Sequence, residues 1–397
     1  MKKTSVAVLT TATTIAAFVA ASSAFASQNV ANTSQKGSLL VWPLITVDQT
    51  TGNPQDTIVE MSNDAYASVQ IECTYVNEEK GRVDFDFTLT AKATVTWDVF
   101  TLVGDHVNPP PFPTFAGSPS FTGNPNRGEL VCFATNPGGQ FQIAWNELTG
   151  TATVLDLDDT LTGVAQPRHA FKYNAWAFAA RCSPATAGCP STGIAPDNAA
   201  VAQGTPGDLV LSGLNVAGAY DACPVYNIAN FMPNGSKLSN IDTVYNWLSI
   251  ASCDQDLRES YTLHETKLDF VVWNANEVSF TGTYACVDSV ETIPLASALQ
   301  PSPPIVVEAS NFDYATLATP NARFQVQGIS ATPPCPFPTA ATGVLAVEWS
   351  SVSIGTNTAE DQKIGNTTQT AGAFAPPGFV LWDVAGSVPP KGPPKTR

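Results

Sequence analysis

Charge is scarce in this chain. Only 13% of its 397 residues are Asp, Glu, Lys or Arg, and 18 basic side chains face 34 acidic ones for a net charge of −16. Long Lys/Arg tracts are absent, which excludes the electrostatic footprint of nucleic-acid binding and makes anionic polymers poor partners. Histidine is scarcer still, with only His106, His169 and His264. A three-His metal centre would need every one of them. His264-Glu265 invites a zinc-hydrolase reading, but position 268 is Leu where that motif needs its second His. A G-x-S-x-G nucleophile elbow and the glycine-rich phosphate and dinucleotide fingerprints are also missing. Beyond the first 26 residues no run approaches the roughly 18 to 20 apolar residues of a membrane-spanning helix. No membrane insertion and no nucleic-acid partner are therefore expected.

The amino terminus reads as an export leader. Lys2 and Lys3 form a basic start, Val6 to Ala21 an apolar core, and Ala24-Phe25-Ala26 a cleavage pattern. Cleavage would begin the mature chain at Ser27. Eight cysteines then fit an oxidising compartment, with metal binding disfavoured because no C-x-x-C spacing occurs. Sequence proximity pairs Cys73 with Cys132, Cys182 with Cys189, Cys223 with Cys253, and Cys286 with Cys335. By loop entropy the first would contribute about 4 kcal/mol and the short second loop about 2.5 kcal/mol.

Alternation points to strands. Val83-Asp84-Phe85-Asp86-Phe87 and Thr94-Val95-Thr96-Trp97-Asp98-Val99 place apolar residues at every second position, as half-buried strands require. Further runs suggest strands at 39–45, 57–61, 69–76, 130–135, 141–145, 151–157, 268–273, 278–287, 323–326 and 344–350. A strand ending in Ser62-Asn63-Asp64, a Val-rich partner carrying Cys73, and the later run from Thr88 to Val99 together resemble the immunoglobulin-like sandwich units of bacterial surface proteins. That resemblance implies an architecture and carries no functional residues. One helix is expected, because Ile241, Val244, Tyr245 and Leu248 fall at i, i+3, i+4 and i+7.

The expected fold is mainly β, with two antiparallel β-sandwich domains of immunoglobulin-like or jelly-roll-like type, long Pro/Gly-rich loops and one short helix. Its layout is a leader at 1–26, a flexible segment at 27–36, a first sandwich at 37–181, a linker with a small Cys loop at 182–207, a second sandwich at 208–384 and a disordered tail at 385–397. A shared Trp-Asn pair, at Trp145-Asn146 and Trp273-Asn274, raises the question of duplication.

The chemically versatile side chains concentrate between Cys253 and Cys286. Asp254, Asp256, Arg258, His264 and Glu265 form the candidate ligand-binding group, and paired carboxylates there could serve a glycosidase, which needs two carboxyls roughly 5 to 9.5 Å apart. Pairing with neighbouring cations on a solvated surface is the plainer account. Asp156, Asp158 and Asp159 offer hard oxygen ligands for a structural Ca²⁺, although Pro167 stands where an EF-hand needs Glu. No other cofactor is indicated. Trp97, Trp145, Trp273 and Trp349 sit in strand patterns and are expected in cores. The leading expectation is a secreted or cell-surface, non-enzymatic protein of adhesion, extracellular structure or assembly, extracellular or periplasmic, meeting a cell-surface component, a neutral glycan or its own copies. The alternatives are a secreted polysaccharide hydrolase and a glycan- or calcium-binding module.

Overall fold

The computed structural model describes residues 29–47, 55–113, 126–158, 166–201, 209–216, 218–236, 241–253, 265–299, 306–329, 335, 342–354, 360–366, 368–369 and 373–374. The expected leader and carboxy-terminal tail lie outside them.

The first half contains β1 (Leu39–Val47), β2 (Gln55–Asn63), β3 (Val69–Asn77), β4 (Arg82–Leu89), β5 (Thr94–Asp98), β6 (Asn126–Thr135), β7 (Leu148–Asp158), β8 (Gln166–Asn174) and β9 (Trp176–Phe178). They form an antiparallel five-stranded sheet of order β4-β3-β6-β1-β9 and a four-stranded sheet of order β5-β2-β7-β8. Short strands β10 (Ala180–Arg181), β11 (Ala219–Tyr220) and β12 (Cys223–Pro224) lead into the second half. There, β13 (Tyr226–Phe231), β14 (Ile241–Ser252), β15 (Thr266–Asn274), β16 (Ser279–Val287), β17 (Val290–Pro294), β18 (Val306–Val307), β19 (Ala322–Ile329), β20 (Val344–Ile354), β21 (Glu360–Asn366) and β22 (Thr368–Gln369) follow. Their sheets have the orders β18-β16-β15-β19-β13-β22 and β17-β14-β20-β21. A last strand, β23 (Ala373–Phe374), pairs with β12.

The two halves share one topology. Replacing β1–β5 by β13–β17 and β6–β9 by β19–β22 converts the first pair of sheets into the second, with β18 as the single added edge strand. Side chains repeat with the backbone. In the β3–β4 hairpin the Asn77 Oδ1 accepts the N–H groups of Glu79 (3.1 Å) and Gly81 (2.6 Å), and Lys80 adopts φ 63°. In the β15–β16 hairpin the Asn274 Oδ1 accepts those of Asn276 and Val278 (3.0 Å each), and Glu277 adopts φ 64°. Each asparagine also donates Nδ2–H across to the connection that precedes the next strand, to Pro113 O and Leu317 O, at 3.0 Å. The hydroxyl pair Ser62–Thr94 recurs as Ser249–Thr292, both at 2.8 Å. The duplication is thus visible in turn chemistry and pairing register, while the Trp-Asn pair relates unlike positions: Trp145-Asn146 precede β7, whereas Trp273-Asn274 end β15.

Alternate side chains of β1, and likewise of β14, enter different cores. Leu40 and Trp42 of β1 join Tyr75, Trp97 and Leu130 between the first half's sheets. Leu39 and Val41 point the other way, with Val131, Phe133 and Trp176, onto Ala251, Val290 and Leu345 of the second half. Leu248 and Ile250 face Phe270, Phe312 and Phe324 in a third core. The sheets consequently stack in four layers, with the β17-β14-β20-β21 sheet covering the outer face of β4-β3-β6-β1-β9.

Four expectations are corrected. Residues 241–248 are not helical but belong to β14, hydrogen-bonded to β17 and β20 on either side. Leu248 to Ser252 are buried on both faces of the strand, so a two-residue alternation is not kept along its length. Among the described residues the one α-helix is a single turn at Tyr314–Leu317. The run 141–145 makes only isolated bridges, because the Trp145 N–H is taken by Ser38 Oγ (2.6 Å) and the Ala144 N–H by Ala199 O (2.7 Å). Residues 29–36 are anchored rather than free: Val30 and Ala31 are buried, and Ala31 N–H donates to Ala222 O at 2.9 Å. The described part of the expected linker, 182–201, is likewise packed, with Ala195 and Val201 in the middle core.

All four cysteine pairs form as proximity suggested: Cys73–Cys132, Cys182–Cys189, Cys223–Cys253 and Cys286–Cys335. Four disulfides point to an oxidising, extracellular or periplasmic environment.

Candidate functional site

The antiparallel register brings three strand ends of the second half together. Trp273 of β15 stands directly opposite Arg323 of β19, which in turn stands opposite Asn230 of β13. Side chains directly opposed in an antiparallel pair share a face. All three point outward, since their neighbours Val272, Phe324 and Phe231 are buried in the third core. Beside them the Asn274 turn projects the exposed Glu277, and the loop before β19 contributes the exposed Asn321. These groups border a cleft of about 910 Å³ at the end of the six-stranded sheet, with Phe231 and Ser350 on its inner side. The Arg323 guanidinium carbon lies 4.8 Å from the Trp273 ring centroid. That distance is within reach of a cation–π contact.

Trp273 is therefore half-exposed at a cleft and not a core residue as its strand pattern suggested, whereas Trp97, Trp145 and Trp349 are buried. Outward strand positions and core positions alternate, so one residue of register separates the two outcomes. Asn230, Asn321 and Arg323 were not legible as partners of Trp273, because they come from β13 and β19, whose adjacency depends on sheet order. The hairpin turn at Asn274 was the available signal.

The cluster singled out from sequence behaves differently. Asp254, Asp256, Arg258 and His264 lie outside the described residues. Glu265 is buried at 6% exposure just before β15, its carboxylate within 4.8 Å of the sulfurs of Cys286 and Cys335. Those sulfurs are joined in a disulfide, so they offer no thiolates and the trio does not fit a metal centre. It is the one convergence of three such ligand atoms among the described residues. Asp156 lies within β7, buried at 6%, with Gln55 and His169 as its backbone neighbours; Asp158 ends the strand and Asp159 falls outside the described residues. The first two are thus strand residues.

A second polar feature sits in the first half. Asp56 is buried at 2% exposure and accepts the N–H groups of Thr57 (2.6 Å) and Phe100 (3.1 Å). Burial, together with the charge of Asp98 and a hydrogen bond to its carboxyl, pushes the Asp56 carboxyl up to about 7. Asp98 in turn accepts the N–H groups of Phe100 (2.9 Å) and Thr101 (2.7 Å), which closes the turn after β5. The pair, with Asp56 buried and Asp98 half-buried, braces this turn.

The Trp273 cleft has the makings of a binding site: an aromatic surface, two exposed amides, one cation and one anion, on rigid strand ends. It lacks a described pair of carboxyls suited to acid–base chemistry on a sugar. No family model matches the chain, and no curated protein is similar to it.

Proposed function

We propose that the protein is an exported, non-enzymatic pair of tandem β-sandwich units that acts in adhesion or extracellular assembly, meeting its partner through the uncovered face and end cleft of the second half. One observation carries this reading. The same sheet occurs twice in the chain, and its outer face is roofed by a sheet of the other half in the first copy, whereas in the second no described sheet covers it and its outward side chains are half-buried to exposed as far as the Trp273 cleft. Four disulfides brace the frame, as befits a protein that works outside the cytoplasm. For the hydrolase alternative only Glu265 among its proposed carboxylates is described, and it is buried beside a disulfide rather than facing the cleft.

Fractionation and surface proteolysis of the producing cells test the reading. The mature protein should be found at the cell surface or in the extracellular matrix, and purified protein added back should adsorb to cells. A wholly soluble periplasmic monomer with no affinity for any surface component would refute it.

A further inference from the structure

The repeat supplies its own control for what the open face is built to touch. The turn asparagines Asn77 and Asn274 place the outward residues of the two larger sheets in correspondence. At the positions where Leu39, Val41, Val131 and Phe133 pack under the second half, the second sheet carries Tyr226, Ile228, Gln325 and Gln327. Where the first has Val76, the second has Trp273. Of the apolar surface that accepts another sheet, the second copy keeps Ile228 aliphatic and otherwise carries the rings of Tyr226 and Trp273 and the amides of Gln325 and Gln327.

Solvation alone does not require that change, as the opposite end of the stack shows. The outer face of β5-β2-β7-β8 also meets solvent, and there Glu60 and Thr151, hydrogen-bonded at 2.9 Å, stand where the second half has the stacked Trp247 and Trp349. Its outward residues in β2, β5, β7 and β8 include Thr96, Thr153 and Lys172 and no aromatic ring among those described. One terminal face is a threonine-rich cap; the other displays Trp273, Tyr226 and Tyr284.

We propose that the outer face of the β18-β16-β15-β19-β13-β22 sheet, together with its Trp273 cleft, binds a neutral polysaccharide chain. This rests on the contact surface assigned above and names its ligand class. Aromatic rings present flat apolar surface to the C–H faces of sugars, and Gln and Asn amides both donate to and accept from hydroxyls. The row Tyr226, Gln327, Asp269 and Tyr284 crosses four adjacent strands, about 14 Å at roughly 4.8 Å per strand spacing, which suits an extended chain better than a single ring. Lys267 and Arg323 lie over the rings of Tyr284 and Trp273, each at 4.8 Å, and Asp269 shares the face, so no single-sign field recruits a charged polymer. The chain's net charge of −16 opposes anionic ones.

Affinity electrophoresis and titration calorimetry of the mature, disulfide-intact protein test this with dextran, laminarin, xylan and mannan, with alginate and heparin as anionic probes. At least one neutral polymer should retard the protein with little dependence on salt. Trp273→Ala should weaken that binding at least tenfold, Trp273→Phe only a few-fold, and the surface double variant Q325A/Q327A should also weaken it should Trp273→Ala fail to fold. Retardation by none of the neutral polymers, binding only to alginate or heparin, or affinity untouched in a folded Trp273→Ala or Q325A/Q327A variant would each overturn the proposal. Cell adsorption measured alongside separates the two readings: adsorption unaffected by these variants sinks the glycan and leaves the surface role, whereas loss of all adsorption by the wild-type protein sinks the surface role itself.

Discussion

Asp56 shows how a single buried acid ties stability to pH. Its folded-state pKa of about 7 exceeds the ordinary value of 3.8, because burial and the neighbouring Asp98 favour the protonated form. The native state therefore holds a proton that the unfolded chain releases between these values, and stability is lost as pH rises through that window. Glu72, raised to about 7 by burial and by Asp84 and Asp86, adds a slope of the same sign. Urea unfolding should show the protein less stable at about pH 8 than at about pH 4.5, by roughly 2–4 kcal/mol. Asp98→Asn keeps an acceptor for the Phe100 and Thr101 amides while removing the charge, and it should flatten only the part of that slope due to Asp98, leaving the parts due to burial of Asp56 and to Glu72. An unchanged slope would count against the coupling of the pair. Arg181 and Asp221 form the other residue-scale anchor. Both are nearly inaccessible, the Arg181 Nε donates at 2.6 Å, and Asp221 also accepts from Gln35 Nε2 and Ala179 N–H at 2.9 Å. Asp221→Ala leaves a buried guanidinium without its counter-ion and should cost about 3–5 kcal/mol in denaturant unfolding.

At the scale of elements, the repeated hairpin makes a paired prediction. Asn77 and Asn274 each satisfy two turn amides and one remote carbonyl, but Asn77 is buried at 1% whereas Asn274 is half-buried. Replacing either by Ala strands those groups, at a cost of about 1–3 kcal/mol. The loss should be larger for Asn77, where water cannot take over, as denaturation midpoints of the two variants would show. Elements of this kind differ in how far the sequence reveals them. Strands β4 and β5 were legible because one face is apolar and the other polar, and the four disulfides because each cysteine meets its nearest available partner. Strand β14 was not, since sheets cover both its faces and erase the alternation. The cleft was legible only in its Trp273 and Asn274 half, because Arg323 and Asn230 reach it through pairings between strands distant in sequence.

For the whole molecule, the consequence of the four-layer stack is cooperativity. Tandem units joined by a polar contact move and unfold separately, whereas a large apolar interface couples them. Here the middle core draws Leu39, Val41, Val131, Phe133 and Trp176 from one half and Ala251, Val290 and Leu345 from the other. Trp176 is fully buried, and its Nε1–H donates to Ala346 O of β20 at 3.3 Å. Differential scanning calorimetry of the oxidised protein should accordingly give one transition whose calorimetric and van't Hoff enthalpies agree. Trp176→Ala removes a large side chain from the boundary and should destabilise by about 3–5 kcal/mol. Because the ring belongs to both halves, the single transition should move to lower temperature as a unit, or split only in the variant. Two resolved transitions in the wild-type protein would mean that the middle core does not couple the halves.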